Sequence, residues 1–475
     1  MPDANRGFPP SPPSAVARRA RSALGLLAAW AGVPSAGIAQ SGPEFERAPV
    51  NYSEAKPTDA IAGLQRRLAA GNFTLGGGDR EVLAALLTEL RVPMASQVAV
   101  FSKTSLQRGR IRPQHPRVIY FSDTIYVGWV PGGLIELTAI DPQLGPVFYA
   151  FDVPAMRHGP PRITRDPECL SCHGGTFVRD VPGVFARSLF TNASGDPLLR
   201  FGTLVVDEQT PFADRWGGWY VTGYRGPAPH RGNAFATESA DQLVFAPTTQ
   251  RPEELSAYFD TRDYLAPTSD VVALLVLEHQ MAMQNTLTRA AYATRKMVAY
   301  QRGLQKHFKE PETDEPTYDC VKNVFAGSAQ DVLDRLLFRM EAALPEGVEG
   351  SEVFRNAFAA GAPRSRGGRS LKDLDLHGRL FAHRCSYLIY SDTFAALPVP
   401  LKALIFSRLK SALESRDPRD RYAYLPAAER ERILEVLAET HPEAKQRWCE
   451  PAAAPAGKAT GSASSAGQAG PKPGR

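Results

Sequence analysis

Arg117-Val118-Ile119-Tyr120-Phe121-Ser122-Asp123-Thr124-Ile125-Tyr126-Val127-Gly128-Trp129-Val130-Pro131-Gly132-Gly133 is the stretch whose reading decides the fold. Its two apolar runs are rich in β-branched and aromatic residues, which suit a pleated, half-buried surface. Ser122-Asp123 and Pro131-Gly132-Gly133 are turn formers at hairpin spacing. The pattern repeats outward, with runs at 98–102, 134–140 and 146–151 and an Asp141-Pro142 turn signal between the last two. Five short strands joined by tight turns predict an antiparallel meander.

Helical patterns flank it. Upstream, Ile61, Leu64 and Leu68 share one helical face. Gly76-Gly77-Gly78-Asp79 stops that segment and caps another, whose Val82, Leu83, Leu86, Leu87 and Leu90 form an apolar stripe. The triple glycine lacks the Lys-Ser/Thr of a phosphate loop and reads as a turn. Downstream, strands are expected at 184–190, 200–206 and 219–222, with a turn at 192–197. Asp270 then caps a segment free of Gly and Pro to about Gln301, a helix of roughly 45 Å. Further helices are expected at 328–343, 399–415 and 427–440. The fold class is therefore α+β: a helical lead-in at 40–97, a β-rich domain at 98–265 and a helical domain at 266–450.

In the Pro- and Gly-rich connection after the meander lies Cys169-Leu170-Ser171-Cys172-His173. Two cysteines three positions apart sit one turn from each other, so both thiols can reach the two vinyl groups of one haem. The adjacent His173 is then placed to coordinate the iron. This is the attachment pattern of c-type haem. A zinc site would need a second close pair, yet Cys320, Cys385 and Cys449 lie singly. A thioredoxin-like redox pair would open a helix in a βαβ unit, whereas Cys169 follows Pro160-Pro161 and Asp166-Pro167. The expectation is one covalent haem c, anchored by Cys169 and Cys172, with His173 as proximal iron ligand.

The N-terminus points to export. Arg18, Arg19 and Arg21 precede an apolar run from Ala23 to Val33, followed by Gly37 and Ala39 at the spacing of a signal-peptidase site. Residues 1–39 read as a signal peptide, which implies a periplasmic or otherwise exported protein. A retained N-terminal anchor is the alternative. No other run approaches the length of a membrane span. The net charge of +5 is concentrated at the ends: +3 in residues 1–39 and +3 from Pro451 onward, leaving −1 on the body. Nothing there argues for nucleic acid or an anionic membrane surface. The Ala-, Gly-, Ser-, Pro- and Lys-rich tail at 451–475 has no side chains to build a core and is expected to be disordered.

The sixth iron position decides between functions: filled, the haem transfers electrons; open, it binds a small ligand. His230 is the first choice for it, in the Gly- and Pro-rich loop Gly226-Pro227-Ala228-Pro229-His230-Arg231-Gly232-Asn233. Its alternative is a solvent-exposed loop residue. His279 is the second choice, its alternative being a satisfied core histidine. Met281 and Met283 read as packing residues, and Met156 and His158 lie just upstream of the cysteine pair. His115, His307 and His441 read as surface residues, and His377, His383 and Cys385 have no fourth partner for a metal. Arg187, Arg200 and Arg215 are candidates to pair with haem propionates. Three further cysteines in an oxidising compartment imply one disulfide and one free thiol, with the pairing open.

Cys169 to His173, with Gly174, resembles the haem-binding word of c-type cytochromes. A wider stretch resembles large exported bacterial proteins with a single cytochrome-c motif. That likeness rests on Tyr126-Val127-Gly128-Trp129-Val130-Pro131-Gly132-Gly133, Arg215-Trp216-Gly217-Gly218-Trp219-Tyr220-Val221-Thr222-Gly223 and Leu277-Glu278-His279-Gln280. The order of haem word, strand, Asn192-Ala193-Ser194-Gly195-Asp196 turn and strand is similar to PAS-like c-haem sensor domains. The resemblance implies a haem protein, with electron transfer to a redox partner protein as the first reading. A haem-based sensor or binding module is the second and a peroxidase-like enzyme the third. No Gly-x-Ser-x-Gly, His-Glu-x-x-His or nucleotide loop supports other chemistry.

Overall fold

Alternating side chains and tight turns carry the chain through one antiparallel sheet. The computed structural model describes residues 43–449 and Gly474, with the side chains of Arg157 and Cys449 excepted. The export segment expected at 1–39 and, Gly474 apart, the tail expected from Pro451 lie outside the described residues. Two short helices lead in, α1 (Ala60–Ala69) and α2 (Asp79–Glu89). Asp59 caps α1 by accepting from the Ile61 and Ala62 amides, while Gly78 caps α2 and its amide is met by Glu81.

The sheet follows in chain order: β1 (Val98–Val100), β2 (Arg117–Phe121), β3 (Ile125–Trp129), β4 (Ile135–Asp141), β5 (Gly145–Phe151) and β6 (Ile163–Arg165). The meander is as expected, and the fold is α+β. Its strands are not one-faced, however: β3 is buried at all five positions, because the sheet is covered on both sides. Only β4 alternates, with Glu136 and Thr138 less buried than their neighbours. Register places Ile119, Gly128, Glu136 and Ala150 side by side across β2 to β5.

After β6 a single turn, α3 (Leu170–His173), carries the second cysteine and the histidine. β7 (Ala186–Leu189) and β8 (Thr203–Val206) form a hairpin, as do β9 (Ala236–Ser239) and β10 (Gln242–Phe245). The second hairpin was not foreseen. The strand expected at 200–206 starts late because residues 199–201 form a 3-10 turn. The strand expected at 219–222 is replaced by isolated bridges, Val100 to Trp219 and Thr222 to Asp270.

α4 (Val271–Phe308) organises the rest. It is capped by Asp270 as expected but runs through Gly303, well past Gln301. Its Gln280 and Gln284 amides donate to the Ser122 and Asp123 carbonyls at 2.8 and 2.7 Å, gripping the β2–β3 turn. One end of the meander is thus tied to the helix. Tyr292 donates to Leu144 O at 2.7 Å at the β4–β5 turn of that same end. There Gly145 has φ +66°, and a Cβ would lie 2.5 Å from Thr288 Oγ1, so glycine lets helix and turn close up.

The C-terminal half adds α5 (Asp319–Leu336), α6 (Glu352–Ala359), α7 (Asp392–Ala395), α8 (Val399–Glu414), α9 (Ala427–Thr440) and α10 (Pro442–Cys449). α5 lies earlier than the helix expected at 328–343. Phe338 and Met340, at φ +54° and +64°, end that segment. One hydrophobic cluster extends from Phe45 to Ala444 and takes in the lead-in, the sheet and the C-terminal helices. Among the described residues no helix is long and apolar enough to cross a membrane.

Candidate functional site

The less buried face of β4 opens on a cavity. Its floor is Arg117, Ile119, Tyr126, Gly128, Glu136, Thr138 and Phe148 of the sheet. Cys169, Cys172 and His173 form one wall, and Phe177, Phe185, Arg187, Trp219 and Met281 contribute to the others. The structure therefore brings the two cysteines and the histidine to a single cavity.

His173 is held in a defined state. Its ring lies between Phe148 and Phe185, with centroids 4.9 Å away on each side. Nδ1 is 2.8 Å from the Gly183 carbonyl, which makes it the protonated nitrogen. Nε2 has no hydrogen-bond partner among the described residues. Burial pushes the imidazole below its ordinary value, with the Gly183 carbonyl acting the other way, so the ring is neutral at pH 7. Gly183 is itself fixed from α4. The Asn285 amide accepts from Val184 N at 2.9 Å and donates to Val184 O at 2.7 Å. A Cβ on Gly183 would come within 2.8 Å of Asn285 Oδ1, so this approach requires glycine.

The thiols differ. Cys169 is half-buried, and burial, reinforced by Asp166 and Glu136, pushes it up to about 12. Cys172 is exposed at the mouth. Among the described residues no group of three or more His, Cys, Asp or Glu side chains could hold a metal ion.

Charge enters the floor as a pair. Arg117 makes an ion pair with Glu136, its Nε donating at 2.7 Å. Burial alone would raise the Glu136 carboxyl, but Arg117, Gln107 and Ser105 hold it below its ordinary value. Gly128 leaves room for the guanidinium; a Cβ there would lie 2.0 Å from Arg117 Nη2. These charged residues were missed in the sequence, although Arg117 opens and Glu136 interrupts a mainly apolar strand at a position lining the cavity. Asn285 and Phe148 carried no such signal.

Neither histidine expected at the sixth position lines the cavity. His230 is not in a solvated loop: it is 1% exposed, boxed by Trp216, Tyr224 and Phe212 at centroid distances of 5.3, 5.5 and 6.0 Å. Its Nδ1 accepts from Gly232 N at 3.1 Å. Aromatic packing, invisible in the Gly- and Pro-rich sequence, is what buries it. His279 is fully buried, stacked on Phe338 at 4.2 Å. Its Nε2 is 2.8 Å from Ser386 Oγ and its Nδ1 is 3.5 Å from Glu208 Oε2. Met281, two residues further along α4, lines the cavity instead.

Other expectations sort similarly. Of the three arginines, only Arg187 lines the cavity. Arg200 pairs with Glu238 and Asp241, and Arg215 is buried against Glu278. His441, expected at the surface, is buried among Tyr390, Phe394 and Phe406. Cys320 is exposed and Cys385 buried, both free, so these two do not form the expected disulfide. No protein-family model, no curated protein and no solved structure matches this chain.

Proposed function

We propose that the protein is an exported monohaem c-type cytochrome that transfers electrons to a redox partner protein. Cys169 and Cys172 are its thioether anchors and His173 its proximal ligand. One observation carries this reading. His173 ties Nδ1 to a backbone carbonyl and leaves Nε2 unpartnered in the cavity that both thiols of the Cys-x-x-Cys-His word also line. A neutral imidazole with one free nitrogen is the ligating form. Each thiol adds across one vinyl double bond, sulfur to one carbon and hydrogen to the other, with no net oxidation. Ile119, Phe148, Phe177 and Phe185 give the cavity the apolar walls that limit water at a macrocycle. When bound, haem supplies a one-electron couple.

Met281 is the thioether that the cavity offers for the sixth position, and no second His lines it. A sensor is the second reading, on one specific observation. α4 carries both Met281 in the cavity wall and the Asn285 clamp behind His173, and its C-terminal part packs on α5. A change of ligation would therefore act directly on the element that joins the two halves.

Haem staining of the denatured protein and visible spectra test both readings. Covalent haem is expected in the wild type and absent from the Cys169→Ala/Cys172→Ala variant; haem that survives denaturation in that variant refutes the anchoring. A low-spin reduced spectrum that carbon monoxide leaves unchanged is expected for the electron carrier, and Met281→Ala should make it responsive. Carbon monoxide binding by the wild type would move the sensor ahead.

A further inference from the structure

Arg187 is the one cationic side chain of the cavity without an anionic partner. Arg117, the other guanidinium in the wall, is already paired with Glu136. Among the described residues the Arg187 guanidinium makes no ion pair and no hydrogen bond. It lies 5.2 Å over the Phe177 ring. The side chain is aimed by its strand. Phe185 and Arg187 are two residues apart, so both face the cavity, and Phe185 packs on His173 while Phe177 lies 5.5 Å from Phe185. Its backbone is fixed by pairing with Val205 and by Trp219 Nε1 donating to Arg187 O at 2.7 Å.

Half-burying a guanidinium without a counter-anion is unfavourable, and the desolvation is offset when a carboxylate arrives. Burial lowers the Arg187 pKa, the signature of that cost. Arginine's planar fork matches a carboxylate in two parallel hydrogen bonds, which a lysine cannot reproduce.

We propose that Arg187 is the carboxylate anchor of this site and pairs with a haem propionate. Arg200 and Arg215 are already committed to carboxylates of the protein. The inference rests on the haem reading above. The ion pair places a positive charge beside the propionate, favours the reduced iron and keeps the propionate ionised. The other charged or titratable groups lining the cavity are Cys169, Cys172, His173, Tyr126, Tyr149 and the Arg117–Glu136 pair.

Redox titration of the full-length, haem-loaded Arg187→Gln variant between pH 5 and 8 tests it. The midpoint potential is expected to fall. A pH dependence weak in the wild type should appear, as an uncompensated propionate titrates within that range. Arg187→Lys, which keeps the charge and the stem over Phe177, should restore most of the potential and serves as the readable variant if the Gln form does not fold. Identical midpoints and pH profiles in wild type and variants overturn the anchor while leaving covalent haem intact; a wild type without covalent haem overturns the underlying reading instead. A free carboxylate is the other source of the same chemistry. Acetate or succinate that shifts the wild-type potential, but not that of Arg187→Gln, would show Arg187 unoccupied and refute the propionate assignment.

Discussion

The cavity wall and the helical interior both pack a histidine ring against aromatic rings, yet they treat it in opposite ways. His173 has one nitrogen tied and one left over facing a cavity; His279 has Ser386 Oγ on Nε2 and, at 3.5 Å and without a hydrogen bond, the Glu208 carboxylate beside Nδ1, so both its neighbours belong to the protein. Burial alone would raise the Glu208 carboxyl, but Arg335 and His279 hold it down at about 2, so it remains an anion. Around it, Arg335 reaches Asp207 and Glu208, and Arg215 with Trp216 Nε1 meets Glu278. A buried polar group is satisfied or costly. Where every partner is internal, the group serves the fold; where one lone pair is left facing a cavity, it is available to a ligand.

That contrast breaks most sharply at Arg215. Its guanidinium is 2% exposed and holds Glu278, the Thr210 carbonyl at 2.9 Å and the Glu208 carbonyl at 3.2 Å. Arg215→Leu strands a buried carboxylate, which costs about 3–5 kcal/mol. Urea denaturation should show that loss, while, on the haem reading proposed above, the folded fraction would keep its attached haem and its spectrum. A spectral change as large as the stability change would mean the two regions are not separate.

A second histidine sharpens it through pH. Burial and Arg251 push His230 down to about 4, below its unfolded value near 6.5. The unfolded chain therefore binds the proton more readily. This contribution to stability is fully present above about pH 6.5 and is lost as pH falls toward 4. Between pH 7 and 4.5 it amounts to roughly 2–3 kcal/mol. His230→Phe, which keeps a ring in the aromatic box, should lose about that much less stability on acidification than the wild type. Equal acid sensitivity of the two proteins would place the effect elsewhere.

The meander was legible because each strand is a short run rich in β-branched and aromatic residues bounded by its own turn formers, all within about fifty residues. That Cys169, Cys172 and His173 stand together was legible for the same reason, since their spacing is local, and the structure brings all three to one cavity. What failed was set by distant partners. His230 looked solvated because nothing near it in sequence reveals Phe212 and Trp216 packing against it. His279 and Met281 differ by two positions on one helix, which is enough to point one into the helical half and the other into the cavity. Helical phase could have separated them, but only once the face of α4 that meets the sheet was known. Gln280 and Gln284, which make that contact, are polar and escape an apolar-stripe search.

The smallest expected effect tests how the cavity borrows from the fold. Asn285 is a buried α4 residue whose two hydrogen bonds both end on Val184, one residue past the carbonyl that orients His173. Asn285→Ala leaves a buried N–H and a buried C=O unmatched, worth about 1–3 kcal/mol for each group, less whatever water recovers. Stability should fall by an amount at the lower end of that range. On the haem reading proposed above, the informative readout is the potential: with Gly183 O less firmly placed, His173 Nδ1–H would lose part of its acceptor and the imidazole would become a weaker donor to iron. The reduction potential should therefore rise slightly, because a less basic ligand stabilises the oxidised iron less. Asn285→Ser, whose neutral and shorter hydroxyl can replace only part of this pair of hydrogen bonds, should lie between the two in potential. A potential unchanged in both variants, with stability reduced, would mean that the α4 clamp supports the loop and has no influence on the ligand.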